Sequence, residues 1–150
     1  MATMTTVGEL MTDYPVVTGI DSRLADAAEA MQLYHVTGLP VCDRSGHLVG
    51  VLSQTDMVRV MAAGPLLASW DRLTVRHVMT CPAITVESGT PLLEAGRLMR
   101  RTQVHRLIVL GADGETPIGV LSMSDLVCWV IDLSEPGPSV WDPPQRLAVS

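Results

Sequence analysis

Gly50-Val51-Leu52-Ser53-Gln54-Thr55-Asp56 is written twice in this chain. Gly119-Val120-Leu121-Ser122-Met123-Ser124-Asp125 repeats its glycine, apolar run, serine, second hydroxyl and aspartate. In each copy the short apolar run reads as a buried strand, and the polar trio as the start of the helix that follows it. Unpaired N–H groups and the positive end of the helix dipole project from such a junction, which suits it to holding a small ligand. Serine, threonine and aspartate at a helix start are also ordinary caps, with a side-chain oxygen on the second or third backbone N–H. Capping needs one hydroxyl, whereas each copy offers two and a carboxylate. A capping serine and a cleft-facing aspartate are therefore compatible in one junction.

Working outward, the duplication extends to nearly the whole chain. Val7-Gly8-Glu9-Leu10-Met11-Thr12 reads as a short helix opened by a Thr6-x-x-Glu9 capping box and broken by Tyr14-Pro15. Val16 to Thr18 reads as a strand. Leu24, Ala27, Ala28, Met31 and Leu33 give a helix with one apolar face through about Tyr34. Leu39 to Cys42 and Leu48 to Leu52 read as strands around the turn Asp43-Arg44-Ser45-Gly46, and Thr55 to about Ala63 as a second helix. Val75 to Thr80 then answers Val7 to Thr12; Leu92, Ala95 and Met99 answer Leu24, Ala27 and Met31; Val104 to Val109 answers Val36 to Val41. The offset runs only from 67 (Pro15 to Pro82) to 69 (Asp56 to Asp125), shifting inside turns.

The chain is thus a tandem duplication of a β-α-β-β-α unit, each preceded by a short helix. Residues 7–63 form repeat 1, 64–74 a linker that is apolar enough to pack with Trp70 as its anchor, 75–133 repeat 2, and 134–150 a Pro-rich tail that Trp141 could pin. One copy of roughly 60 residues buries too little surface to be comfortable alone. Two copies about a pseudo-twofold axis can bury their sheet faces on each other. The predicted class is α+β, with two equivalent clefts, one beside each repeated aspartate.

Composition narrows the function. Hydrophobic residues make up 47% and charged residues 17%, a globular balance. Phe is absent and aromatics are 3%, which argues against stacking of bases on aromatic platforms. The net charge of −6 argues against duplex nucleic acid or an anionic membrane as partner. No apolar run approaches the ~18 residues that span a bilayer, and the first residues lack the basic and apolar regions of a signal peptide. Cys42, Cys81 and Cys128 are odd in number and widely spaced, and read as reduced, mostly buried thiols of a cytoplasmic protein rather than metal ligands.

With these motifs in hand, both copies resemble the CBS domain, and the pair resembles a Bateman module. The resemblance rests on Met-Thr-x-x-Pro (Met11 to Pro15), the helix ending at Met31, Gly38-Leu39-Pro40-Val41 and the doubled Gly-Val-Leu-Ser-x-x-Asp, and covers about residues 7 to 61 and 75 to 130. It implies regulatory binding of AMP, ADP, ATP or a related adenosyl ligand, with no further cofactor. By the resemblance Asp56 and Asp125 take ribose hydroxyls, and Ser53, Thr55, Ser122 and Ser124 contact ribose or phosphate. Adenine is expected against Val16, Val36 and Val51 in one copy and Ala83, Val104 and Val120 in the other, with Thr12, Thr37 and Thr80 among the ligand-facing positions. Val104-His105-Arg106-Leu107 with Ser122-Met123-Ser124-Asp125 is similar to an AMP-binding repeat of the gamma subunit of AMP-activated protein kinase. That likeness makes His105 and Arg106 phosphate-facing, with Arg100 and Arg101 adding positive field. Thr37-Gly38 stands in their place in the first copy, so the Asp125 cleft is expected to take charged nucleotides better.

Catalysis is not expected. His35, His47, His77 and His105 fall in separate elements, and symmetry puts the two aspartates in different clefts. The rival reading is a ligand-independent dimerisation or scaffold module, its contact face drawn from Met57, Val60, Met61, Leu126, Val127, Trp129 and Val130. A homodimer and a regulated protein partner are compatible with either reading.

Overall fold

The structure, a computed structural model, describes residues 4–64 and 70–133. The expected tail at 134–150, with Trp141, and the middle of the linker lie outside the described residues. Each repeat forms the expected order of elements, although the first strand lies at Thr18–Gly19 and not over Val16 to Thr18. In the first, β2 (Thr18–Gly19), α2 (Leu24–Leu33), β3 (Gly38–Cys42), β4 (Leu48–Ser53) and α3 (Gln54–Ala62) follow one another. In the second, β5 (Thr85–Glu87), α5 (Leu92–Thr102), β6 (Arg106–Leu110), β7 (Pro117–Ser122) and α6 (Met123–Asp132) do the same. The parallel pairs β2–β3 and β5–β6 are joined through the helices, and the hairpins β3–β4 and β6–β7 are antiparallel. Both hairpins turn on the same chemistry. Asp43 accepts N–H bonds from Ser45 and His47, and Asp113 from Glu115 and Thr116, while Gly46 and Gly114 supply the left-handed backbone at φ 83° and 71°.

The short leading helices, α1 (Val7–Leu10) and α4 (Val75–Val78), do not pack on the repeats they precede. Val7 is buried with Leu92, Ala95, Met99, Leu107, Val109 and Leu121 in the core of repeat 2. Val75, Val78 and Leu73 are buried with Leu24, Ala27, Met31, Leu39, Val41 and Leu52 in the core of repeat 1. The exchange is symmetric. Val7 N–H donates to Thr90 O at 2.8 Å and Val75 N–H to Ser22 O at 2.9 Å, each the image of the other 68 residues on (75 − 7 and 90 − 22). Complete burial of one such valine or leucine is worth about 1.5–3 kcal/mol, so the crossed segments hold the repeats together.

The crossing continues in the sheets. The segment after α1 forms β1 (Thr12–Asp13), antiparallel to β7, with Thr12 opposite Val120 and Asp13 opposite Gly119. Its image is the bridge Val51–Thr80, closed by two 2.9 Å backbone bonds. This explains the glycine of the repeated signature. A Cβ on Gly50 would stand 2.7 Å from Thr80 O, and one on Gly119 would run into the Met11 side chain, so neither strand could be crossed there by the other repeat if it carried a side chain.

Several local expectations need correction. The first short helix ends at Leu10, and Thr12, expected in it, joins Asp13 in a strand, because Val120 and Gly119 offer them a sheet edge. Leu33 is exposed; only Leu24, Ala27 and Met31 of its helix are fully buried. Met57 and Val60 face the first core and Leu126 and Trp129 lean on the second, so the exposed apolar face of α3 and α6 is made instead by Val58, Met61, Val127, Val130 and Ile131. Of the cysteines only Cys42 is buried; Cys81 and Cys128 are exposed. Trp70 packs against the first core, as an anchor should. No helix among the described residues is long and apolar enough to cross a membrane.

Candidate functional site

The two strand-to-helix junctions are built alike. Asp56 N–H donates to Ser53 Oγ at 3.2 Å and Ser53 N–H to Asp56 Oδ2 at 2.9 Å; the Ser122–Asp125 pair repeats this at 3.1 and 2.8 Å. These are reciprocal capping boxes. The first helical N–H groups are also used, Gln54 donating to Thr37 O at 3.0 Å and Met123 to His105 O at 2.8 Å. Both serines therefore act as caps, and what remains for other work is the second carboxylate oxygen and the hydroxyl between them.

There the copies part. Asp56 Oδ1 accepts from Thr80 Oγ1 at 2.9 Å and from Arg59 Nη1 at 3.1 Å, and the residue is only 2% exposed. In the second copy Thr12 stands where Thr80 does and Cys128 where Arg59 does (12 + 68 = 80; 59 + 69 = 128). Neither bonds to Asp125, whose Oδ1 has no partner among the described residues. One carboxylate is locked into the structure, and the other opens into a hollow.

That hollow, about 440 Å³, is composite. The pairing of β1 with β7 sets Thr12 beside Val120 along one wall. Pro15, Val16 and Val36 give an apolar side, and Ser122, Ser124 and Asp125 give a polar end, with Tyr14, Tyr34 and His35 also lining it. Val16 and Val36 were expected beside Val51 and Asp56; the crossed segments place them with Asp125 instead. Val51 and Thr80 pair with each other beside the locked Asp56 and do not line this hollow. Val104 leans on the second core, and Ala83 lines a separate depression with His47, Pro82 and Glu115.

Arg106 joins two hollows. Its Nη2 donates to Thr37 Oγ1 at 2.8 Å, and its guanidinium lies over Gly38, where a Cβ would come within 2.7 Å of Cζ. The first copy, whose Thr37-Gly38 seemed to leave it without a cation, thus receives the cation of the second. Burial lowers the Arg106 pKa from its ordinary value while the charge of Asp56 acts the other way, and a guanidinium remains protonated through such shifts. Beyond Arg106 lies an adjoining hollow of about 580 Å³ at the starts of α3 and α6, which takes in Gln54, Thr55, His105, Ser124 and Cys128. Thr55 and His105 therefore face this second space and not the Asp125 slot. Arg100 and Arg101 are exposed in the last turn of α5, where the helix dipole favours them, and line neither hollow.

The remaining histidines have structural employment. His47 pairs with Glu115 at 3.2 Å, and His77 Nδ1 accepts the Thr74 N–H at 3.1 Å as part of a capping box. Tyr14, Tyr34, His35, Gln54 and Cys128 were not singled out by the sequence. Their local signal is only that of turn, cap and helix-surface residues, and they become site residues through the crossing of the repeats.

Comparison with known proteins agrees with this architecture. The CBS domain family matches residues 7–63 and 75–132. The chain is similar to the CBS domain-containing protein DDB_G0289609 of Dictyostelium discoideum, 32% identical over 140 residues, covering 88% of this chain and 95% of that protein. It is 30% identical over 119 residues to the inosine-5'-monophosphate dehydrogenase of Bifidobacterium longum, covering 79% of this chain but only 21% of the enzyme. Among solved structures, the CBS-pair protein CBSX2 from Arabidopsis thaliana superposes with a TM-score of 0.75 at 32% identity, covering 87% of this chain and 96% of that one. CBSX2 in complex with AMP superposes with a TM-score of 0.72 at 33% identity over 85% and 96% of the two chains.

Proposed function

Because this chain belongs to the CBS domain family, carrying the domain twice, we propose that it is a regulatory module binding an adenosine nucleotide (AMP, ADP, ATP or a related adenosyl ligand) in the Asp125 hollow. It has no catalysis of its own in this reading, and acts through a second copy of itself or a regulated protein partner. The observation that carries the reading is the open Oδ1 of Asp125 at the polar end of a slot with an apolar side. A carboxylate oxygen can accept from two neighbouring hydroxyls, as on a ribose, and charge-assisted bonds of this kind are roughly twice as strong as neutral ones. The Ser124 hydroxyl lies alongside, the apolar wall suits a base, and Arg106 supplies the cation for a phosphate. CBSX2, 33% identical to this chain and solved in complex with AMP, supports the same reading.

The test is thermal unfolding of the chain with AMP, ADP and ATP. A ligand that binds only the folded chain stabilises it by about 2.7 kcal/mol at a hundredfold excess over Kd. For a chain of this size that raises the melting temperature by roughly 5–10 °C. No shift with any of the three at millimolar concentration would leave the scaffold reading, which the exposed Val58, Met61, Val127, Val130 and Ile131 favour. The same apolar face supports a homodimer in either case.

Arg106→Gln probes the cation separately. Glutamine keeps a polar head that can still donate toward Thr37 but carries no charge. Removing the Arg106 charge is expected to weaken AMP binding about tenfold, the scale of one hydrogen bond to a charged group, with little change for adenosine, which has no phosphate. Equal losses for both would mean that Arg106 is not the phosphate contact.

A further inference from the structure

The chain has two tyrosines and no phenylalanine, and both tyrosines line the same hollow. Neither is used by the fold. Tyr14 is 92% exposed and Tyr34 56% exposed, and neither packs against either core. Tyr14 also sits in left-handed backbone at φ 50°, an uncommon conformation for a bulky residue. Its counterpart in the second repeat, the residue before the matching Pro82, is Cys81, which does not share that backbone conformation, and the counterpart of Tyr34 is Thr102 (34 + 68). The aromatic pair therefore belongs to the Asp125 hollow and not to the duplicated design.

Resting on the nucleotide reading of that hollow, we propose that Tyr14 and Tyr34 are its base-stacking residues. Their rings close from the rim on one face of a planar nucleobase whose other face lies against Pro15, Val16 and Val36. A tyrosine ring offers a large, flat contact with only two torsions to order, and stacking on it is available to any heteroaromatic base. Scarcity of aromatic residues had argued against such a platform; concentrating both rings at one rim removes the objection.

The test is calorimetry of AMP binding to the full chain, its Tyr14→Ala/Tyr34→Ala double variant and its Tyr14→Phe/Tyr34→Phe double variant, each with its ligand-free melting temperature. The alanine pair is expected to bind AMP roughly tenfold more weakly, as loss of base–aromatic stacking requires, with the melting temperature within about 2 °C of the parent because both side chains are exposed. The phenylalanine pair is expected to bind as the parent does. Unchanged affinity in the alanine pair would overturn the proposal. So would an equal loss in the phenylalanine pair, which would assign the effect to the hydroxyls, or a loss accompanied by a collapse of the melting temperature. If the parent chain itself binds no AMP, the nucleotide reading falls and this proposal with it, an outcome distinct from the other three.

Discussion

Asp125→Ala is expected to abolish the rise in melting temperature that AMP produces, while costing the ligand-free chain only about 1 kcal/mol. The small cost is that of half a capping box: Ser122 still caps Asp125's backbone position, but the Ser122 N–H loses its acceptor at 2.8 Å. The large effect on binding follows from the open Oδ1. Two ribose hydroxyls bonded to a carboxylate contribute on the order of 1.5–3 kcal/mol each, so their loss reduces affinity at least a hundredfold. Parallel melting curves of parent and variant at millimolar AMP are the measurement. A shift that survives in Asp125→Ala would remove Asp125 from the site and return the hollow to a structural role.

Asp56→Ala is expected to do the reverse, lowering stability by about 2–4 kcal/mol and leaving the AMP shift in place. The two aspartates occupy the same position in the repeat, so the contrast measures their surroundings alone. Asp56 is buried, and its carboxylate is the acceptor for the Ser53 N–H and the Thr80 hydroxyl. Removing it leaves two part-buried donors without a partner, at roughly 1–3 kcal/mol for each group that stays dry. The Arg59 contact adds little, since that guanidinium is mostly in water. For a chain of this size the melting temperature should fall by roughly 5–15 °C. Equal losses of stability in Asp56→Ala and Asp125→Ala would contradict the asymmetry of the two junctions, and loss of the AMP shift in Asp56→Ala would relocate the ligand.

The asymmetry was only half legible. From His105-Arg106 against Thr37-Gly38, the Asp125 cleft could be favoured, but for a reason that the structure changes. Arg106 does not serve the second copy alone; it reaches across to Thr37 of the first, and borders the Asp125 hollow and the one adjoining it. What distinguishes them is Thr80 and Arg59, which occupy Asp56, against Thr12 and Cys128, which leave Asp125 free. Thr80 is 24 residues from Asp56 and in the other repeat. No local spacing announces that contact. Likewise the grouping of Val16 and Val36 with Val51 followed chain order, and chain order is what the crossed segments break.

From the residues alone came the duplication, the α+β class, the hairpin turns and both helix caps. Each depends on contacts within a few positions, or on an apolar period that only one element satisfies: Ser53 with Asp56 three residues on, Asp43 with His47 four residues on. Tertiary structure alone decided which repeat each leading helix joins. The two copies, being duplicates, offer Val7 and Val75 near-identical sockets, so hydrophobic pattern is degenerate between packing at home and packing across. The choice is made by strand pairing over more than a hundred residues, Thr12 against Val120. That choice in turn built the hollow, gave it both tyrosines and left one of two matched aspartates unoccupied.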